Sequence, residues 1–330
     1  DVNKDAVRYY LPDWEREVLR KHVFGDFESF LLATAKHPAM LFYLDNHVSQ
    51  APMARGEKVL RGREREGRTD GLNENYAREL MELHTLGVDN GYDQDDVVQL
   101  ALVLTGWSIQ DGAFAFRERF HAKGRKKVVG KTVKAGGVDE GEAVVRYLAR
   151  HKNTREFVCT KLVRYLAADV PPPSIVKAAV ATWKKTKGDL REVVRTILLH
   201  DDFYAAPCVL SKARTPLEFV AATLRVVGAD VENPAPVLGR LADMVQPVYG
   251  CEDPTGYSDV AADWMDPGVL AVRWQFAYDV LRGRMPGVKT DASPLFQHVR
   301  QNPEVWEYLL VEDLFAGESP GSLTMAPFRR

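Results

Sequence analysis

Four charged side chains within nine residues, Glu74, Arg78, Glu79 and Glu82, are of the types that acid–base chemistry needs. If Asn73 caps a helix that runs to Gly87, a step of about 100° per residue gathers Glu74, Asn75, Arg78, Glu79, Glu82 and Thr85 into an arc of about 140°. Tyr76, Ala77, Leu80, Met81, Leu83 and His84 fall on the other side. Carboxyl groups four or five residues apart on such a face can stand about 5–9.5 Å from each other, the separation used in hydrolysing a glycosidic bond. In that reading Glu74, Glu79 and Glu82 supply acid and base, Arg78 orients a carboxylate or binds another anionic group, and Asn73 and Asn75 are further substrate contacts. The spacing i, i+4, i+8 also describes a solvated ion-pair ladder worth about 0.2–0.5 kcal/mol per pair, and both readings stand.

The elements around this face give it a place. Val97 to Leu104 is apolar nearly all round, so that helix must be covered by neighbours on every side. Only a short turn separates it from the charged helix, which therefore belongs near the middle of the domain with its polar face toward a cleft. His84 falls on the apolar arc and is expected to be a buried, hydrogen-bonded residue that fixes packing, with metal ligation as the alternative. Asp93 and Asp96 read as a capping box, and the stretch from Tyr92 lacks the twelve-residue spacing and closing Glu of a calcium loop. Beyond Thr105-Gly106-Trp107, Asp111-Gly112 between Trp107-Ser108-Ile109 and Phe114-Ala115-Phe116 signals a hairpin, so residues Trp107 to Lys134 are expected to form a small β insertion. The insertion is rich in Lys and Arg in a chain of net charge −2. It is either a solvated surface or the seat of an anionic ligand, with Trp107, His121 and Lys126 as contacts.

The remainder reads as helices: a mostly α, irregular multi-helix fold with a small β-hairpin insertion, organised as one helical domain over residues 1–330. Asp13 and Asp26 are expected to cap the first two helices and Pro38 to open a short third one. Asn153 with Glu156, Asp189 with Glu192, and Thr215 with Glu218 match capping boxes. Gln50 to Gly71 loses its apolar period and reads as a flexible charged loop. Gln246 to Trp264 opens with two prolines and two glycines in twelve residues, the composition of a long ordered loop that walls a site, and Tyr257 is its substrate contact. Past Gly287 short helices are expected, for example at Val305 to Leu314.

With 330 residues, 45% of them hydrophobic, the chain can bury one large core or two smaller ones. No apolar run approaches the roughly 18 residues of a membrane span. The near-neutral charge gives no general attraction to nucleic acid. Cys159, Cys208 and Cys251 have no CxxC spacing, which argues against a cysteine-based zinc site and leaves open one disulfide or three free thiols. No nucleophile elbow, phosphate loop, dinucleotide fingerprint or HExxH motif is present; the sequence identifies no cofactor and no metal site.

The run from Asn73 to Gly87, with Tyr92, Asp96-Val97 and Leu104-Thr105-Gly106-Trp107, resembles the signature of the bacterial domain-of-unknown-function family numbered 1800. His37-Pro38-Ala39-Met40-Leu41, Tyr43-Leu44-Asp45, the basic segment His121 to Gly130, and Pro254-Thr255-Gly256-Tyr257 with Trp264 support it, so the resemblance runs from about Arg20 to Gly287. It implies a helical protein, periplasmic or secreted, that works beside a sulfatase-like partner. Members commonly carry Asp after the histidine, where this chain has Ala122, which weakens a metal-binding His-Asp pair. They also carry an N-terminal part not found before Asp1, so part of the site is expected to be missing. Two expectations follow: an exported hydrolase or lyase acting on an anionic oligosaccharide or polysaccharide, or a non-catalytic binding or scaffold protein whose basic insertion docks a partner.

Overall fold

The computed structural model describes residues 2–4, 6–52, 71–209, 211–291, 293 and 301. Among them helices dominate, and the strands form two-stranded antiparallel sheets. The chain opens with α1 (Val7–Asp13), which runs through π-helical turns Trp14–Leu19 into α2 (Arg20–His22). Asp13 therefore lies inside a helical stretch and caps nothing. Its carboxylate pairs with Arg16 at 3.0 Å and with His37 Nε2 at 3.2 Å. Asp26 does cap α3 (Phe27–Lys36), accepting from Ser29 N at 2.8 Å, and Pro38 opens α4 (Pro38–Tyr43), as proline's fixed φ and missing N–H favour.

The central pair is α5 (Asn75–Glu82) and α6 (Gln94–Leu104), packed against each other. The α5 helix is shorter than the sequence suggests. Thr85 Oγ1 donates to Leu80 O at 2.6 Å, and the N–H groups of Leu86 and Gly87 turn back to Met81 O at 2.8 and 3.1 Å, so the last carbonyls are satisfied without another helical turn. Asp93 and Asp96 form the expected reciprocal capping box on α6.

Two hairpins follow, where the sequence signals one. β1 (Trp107–Gln110) and β2 (Ala113–Phe116) are joined by Asp111-Gly112 with both residues at positive φ, the turn that matches strand twist. β3 (Lys126–Val128) and β4 (Lys131–Val133) pair in the same way across Val129-Gly130. Then come α7 (Val138–Arg150), α8 (Lys152–Leu166), α9 (Pro173–Thr186) and α10 (Leu190–Leu198). Asp189 caps α10 as expected, but α8 is capped by His151, whose Nδ1 accepts from Asn153 N at 3.3 Å. Asn153 instead donates to the backbone and side-chain oxygens of Asn90.

The chain divides into two compact units, residues 1–212 with 252–256, and 213–251 with 257–330. The first holds the elements so far named and a core that includes Leu41, Tyr76, Leu80, Leu100, Leu104, Trp107, Leu148 and Ile197. The second holds α11 (Pro216–Val226), β5 (Asp230–Val231), α12 (Ala235–Asp243), α13 (Pro267–Leu281) and β6 (Val288–Lys289) around Val220, Leu241, Met244, Phe276 and Val280. The Thr215–Glu218 capping box forms at the head of α11. Gln246 to Val260 carries no helix or strand before a 3-10 turn at Ala261–Trp264. Most of the charged segment Gln50 to Gly71, and Val305 to Leu314, lie outside the described residues. No described helix is long and apolar enough to cross a membrane, and Cys159 and Cys208 are buried free thiols.

A carboxylate face on the central helix

The first residues of α5 are tied to the turn after α4. Asn73 Oδ1 accepts from Asn75 N at 2.9 Å, Asn73 Nδ2 donates to Asp45 O at 3.4 Å, and Asn75 Nδ2 donates to Leu44 O at 3.5 Å. The Tyr76 hydroxyl, wholly buried, donates to Ala35 O at 2.9 Å. These side chains position the helix. Trp107 does the same for β1: it is fully buried, edge-on to Phe114 at 5.3 Å, and packed so closely on α7 that a Cβ on Gly141 would lie 2.4 Å from its ring. Gly106, just before it, sits at φ +79° with an added Cβ only 2.7 Å from Arg117 O, so both the turn and the approach require glycine.

On the exposed side of α5, Arg78 lies 3.5 Å from Glu74 and 3.7 Å from Glu82 and donates to Gln94 Oε1 at 2.8 Å, while Gln94 Nε2 donates to Glu74 Oε2 at 2.7 Å. Glu74, Arg78 and Gln94 thus close a triangle across α5 and the start of α6. The expected ladder exists, and half-exposed pairs of this kind contribute only about 0.2–1 kcal/mol each.

Glu79 is different. It is 9% exposed, and its side chain makes no hydrogen bond or ion pair among the described residues. Burial first, then the negative charge of Glu82, push its carboxyl above the usual carboxylate range; Arg78 opposes the shift and Asp253 adds to it. Asp253 belongs to the segment 252–256 that packs with this unit, and its carboxylate is oriented by Thr255, which donates through N at 2.8 Å and Oγ1 at 2.7 Å. Glu82, by contrast, faces Arg78 and the phenol of Tyr92, which burial and the Glu82 carboxylate together hold at about 12. Among the described residues, one carboxyl without a partner therefore stands beside one that faces a guanidinium, and the enclosed Tyr92 hydroxyl next to them makes no hydrogen bond.

His84 is half-buried with Nδ1 fully enclosed, and no described group bonds to that nitrogen, so the expected hydrogen bond is absent. Burial, then the charge of Lys161, hold its pKa at about 4, which makes it neutral at pH 7. No group of His, Cys, Asp and Glu among the described residues could hold a metal ion.

His121 and Lys126 form a second, separate cluster with Glu140 of α7, all three buried. His121 Nδ1 donates to Thr105 O at 2.8 Å, and its Nε2 lies 3.0 Å from Glu140 Oε1; Lys126 Nζ lies 2.5 Å from the same oxygen and also donates to Ala122 O. Glu140 Oε2 accepts from Gly136 N at 3.0 Å. None of these bonds reaches the α5 face. Tyr257 is in the second unit, where its hydroxyl donates to Pro247 O at 2.7 Å and its ring tilts against Trp264. Of the residues read from the sequence, the structure brings Glu74, Arg78, Glu79 and Glu82 onto one face. It adds Gln94, Tyr92 and Asp253 to that face and Glu140 to the buried cluster. Asp253 adjoins the Pro254-Thr255-Gly256 match, a usable signal; Glu140, inside a helix start, gave none.

Short hairpins set among helices, with a carboxylate-rich helix at the centre of the larger unit, define the class of protein. A family model described as "Protein of unknown function (DUF1800)" matches residues 1–324, and the chain belongs to that family. No curated protein and no solved structure matches it.

Proposed function

We propose that the α5 face is an acid–base site acting on an anionic glycan as a hydrolase or lyase, with Glu79 as the group that carries the proton. The observation that carries this reading is the contrast between neighbours: Glu79 is buried, without a partner among the described residues and pushed toward its neutral form, while Glu82 is held by Arg78 and lies against Tyr92. Glu79 protonates a leaving oxygen, or removes a proton in the lyase variant. Glu82 serves as the second carboxylate, and Arg78, already shared among Glu74, Glu82 and Gln94, turns one of its donors to a substrate carboxylate. His121 and Lys126 act at a distance, holding β3 to α7. The family resemblance supports an extracytoplasmic place of work, periplasmic or secreted in bacteria.

A non-catalytic binding or scaffold role beside a sulfatase-like partner has one observation in its favour, the Glu74–Arg78–Gln94 triangle, which is complete without a ligand. The deciding experiment incubates the protein with polyuronates and sulfated polysaccharides and measures new reducing ends and the ultraviolet absorbance of unsaturated products. Cleavage by the parent that drops about 100-fold or more in Glu79→Gln, with an unchanged circular dichroism spectrum, supports the acid–base reading. Glycan binding without cleavage, unaltered by Glu79→Gln, supports the scaffold.

A further inference from the structure

From the register of the second hairpin we infer a docking surface for an extended acidic polysaccharide, separate from the α5 face. Between Arg117 and Lys134 the chain has eight Lys or Arg and one acid, Glu118. The pairing Lys126↔Val133, Lys127↔Thr132 and Val128↔Lys131 sorts these cations onto two faces. Lys126, Val128 and Val133 are buried on the inner face, and Lys131 sits over the ring of Tyr147 at 4.7 Å. Lys127 and Thr132 point outward and are exposed, and Arg125 and Lys134, both exposed, flank the last pair of the ladder. Lys123, also exposed, extends the row.

Lys123, Arg125, Lys127 and Lys134 make no ion pair among the described residues. On the packed helix α6, Asp96 accepts from Val129 N at 2.6 Å and from Asp93 N at 3.3 Å, and neither Asp95 nor Asp96 forms an ion pair with this row among the described residues. The row is therefore exposed and takes part in no ion pair among the described residues that would tie it to the fold. A ligand of repeating negative charge is what such a surface fits.

The surroundings favour a polysaccharide over nucleic acid. Single strands are held by stacking bases on exposed rings, but the rings near this row are already covered, Tyr147 by Lys131 and Phe120 by Arg119 at 4.4 Å. A β-ribbon that reads duplex DNA enters the major groove, whereas this hairpin is fastened to α6 through Lys127 N to Gln99 Oε1 at 3.3 Å and Val129 N to Asp96. An acidic glycan needs neither stacking nor insertion. This surface supplies the capture step for the proposed acid–base site, and it rests on that proposal only for the chemistry after capture.

The test measures binding of the full chain to polygalacturonate, to uncharged dextran and to duplex DNA. Expected are binding to polygalacturonate alone, weakened about tenfold or more between about 50 and 200 mM salt, and a further loss of about tenfold with a flatter salt slope in the R125A/K127A/K134A variant. The readout is binding alone, so a failed cleavage assay leaves this result intact. No binding of polygalacturonate by the parent, equal binding by the triple variant, or tighter binding of duplex DNA would each overturn the inference.

Discussion

Replacing Glu79 by Gln should make the protein more stable at neutral pH, and the gain should vanish in acid. The folded-state carboxyl is pushed above its ordinary value by burial and by the charges of Glu82 and Asp253. At low pH it is protonated in both folded and unfolded chains and contributes nothing to the difference. As pH rises the unfolded chain ionises first, so folding stability falls until the folded carboxyl has also ionised, and the penalty is then constant up to neutrality. Each tenfold difference in acidity between the two states is worth about 1.4 kcal/mol. The substitution has no side-chain hydrogen bond or ion pair to break, because Glu79 makes none among the described residues, and Arg78 keeps Glu74, Glu82 and Gln94. The gain expected at pH 7 is that of a single stabilising substitution, about 0.5–2 kcal/mol. Chains somewhat shorter than this one gain about 2–4 °C in Tm per kcal/mol. Thermal unfolding of parent and variant at a series of pH values reads it. A Tm lowered at pH 7, or a gain of equal size in acid and at neutrality, refutes the reasoning, since the charge would then not be the source of the cost.

Two further predictions concern the supports of the site. Lys126→Met leaves the fully buried Glu140 with His121 and the Gly136 N–H but no lysine and should cost about 3–5 kcal/mol in urea unfolding, part of it recovered in Lys126→Met/Glu140→Leu, because a missing partner costs more than a missing pair. Gly141→Ala forces a methyl to 2.4 Å from the enclosed indole of Trp107 and should cost about 1–3 kcal/mol or more by the same assay, whereas Gly239→Ala, where nothing lies within 4 Å, should not destabilise the protein.

The parts of the fold legible in the sequence are those fixed by neighbours in the chain. Asp26, Asp93, Asp189 and Thr215 cap helices because a side-chain oxygen needs only the next turn to find its N–H, and Asp111-Gly112 makes its hairpin because both residues accept positive φ. The misreadings occur where a distant or competing partner decides. Asn153 yields the cap of α8 to His151 because the helix already starts at Lys152, and its Nδ2 donates to Asn90, 63 residues away. The β3–β4 hairpin hides behind a run of lysines, since Lys126 is an inward residue only because Glu140 waits on α7. His84 falls in the turn after α5 rather than on its apolar side, and its enclosed Nδ1 finds no described partner, which periodicity cannot reveal.

The same distinction separates the family's signature from the function proposed for it. Within the signature, Asn73, Asn75 and Tyr76 bond to the backbone of Asp45, Leu44 and Ala35, a Cβ on Gly106 would meet Arg117 O at 2.7 Å, and Trp107 is enclosed against Gly141. Those residues are explained by packing alone, and replacing any of them should cost stability before it reveals anything about activity. Glu79 is the member of the motif that packing does not explain, because a carboxyl in its position costs free energy and satisfies no described donor. A residue that the fold would be better without, set on a helix that the rest of the motif holds rigidly in place, is where chemistry should be sought first.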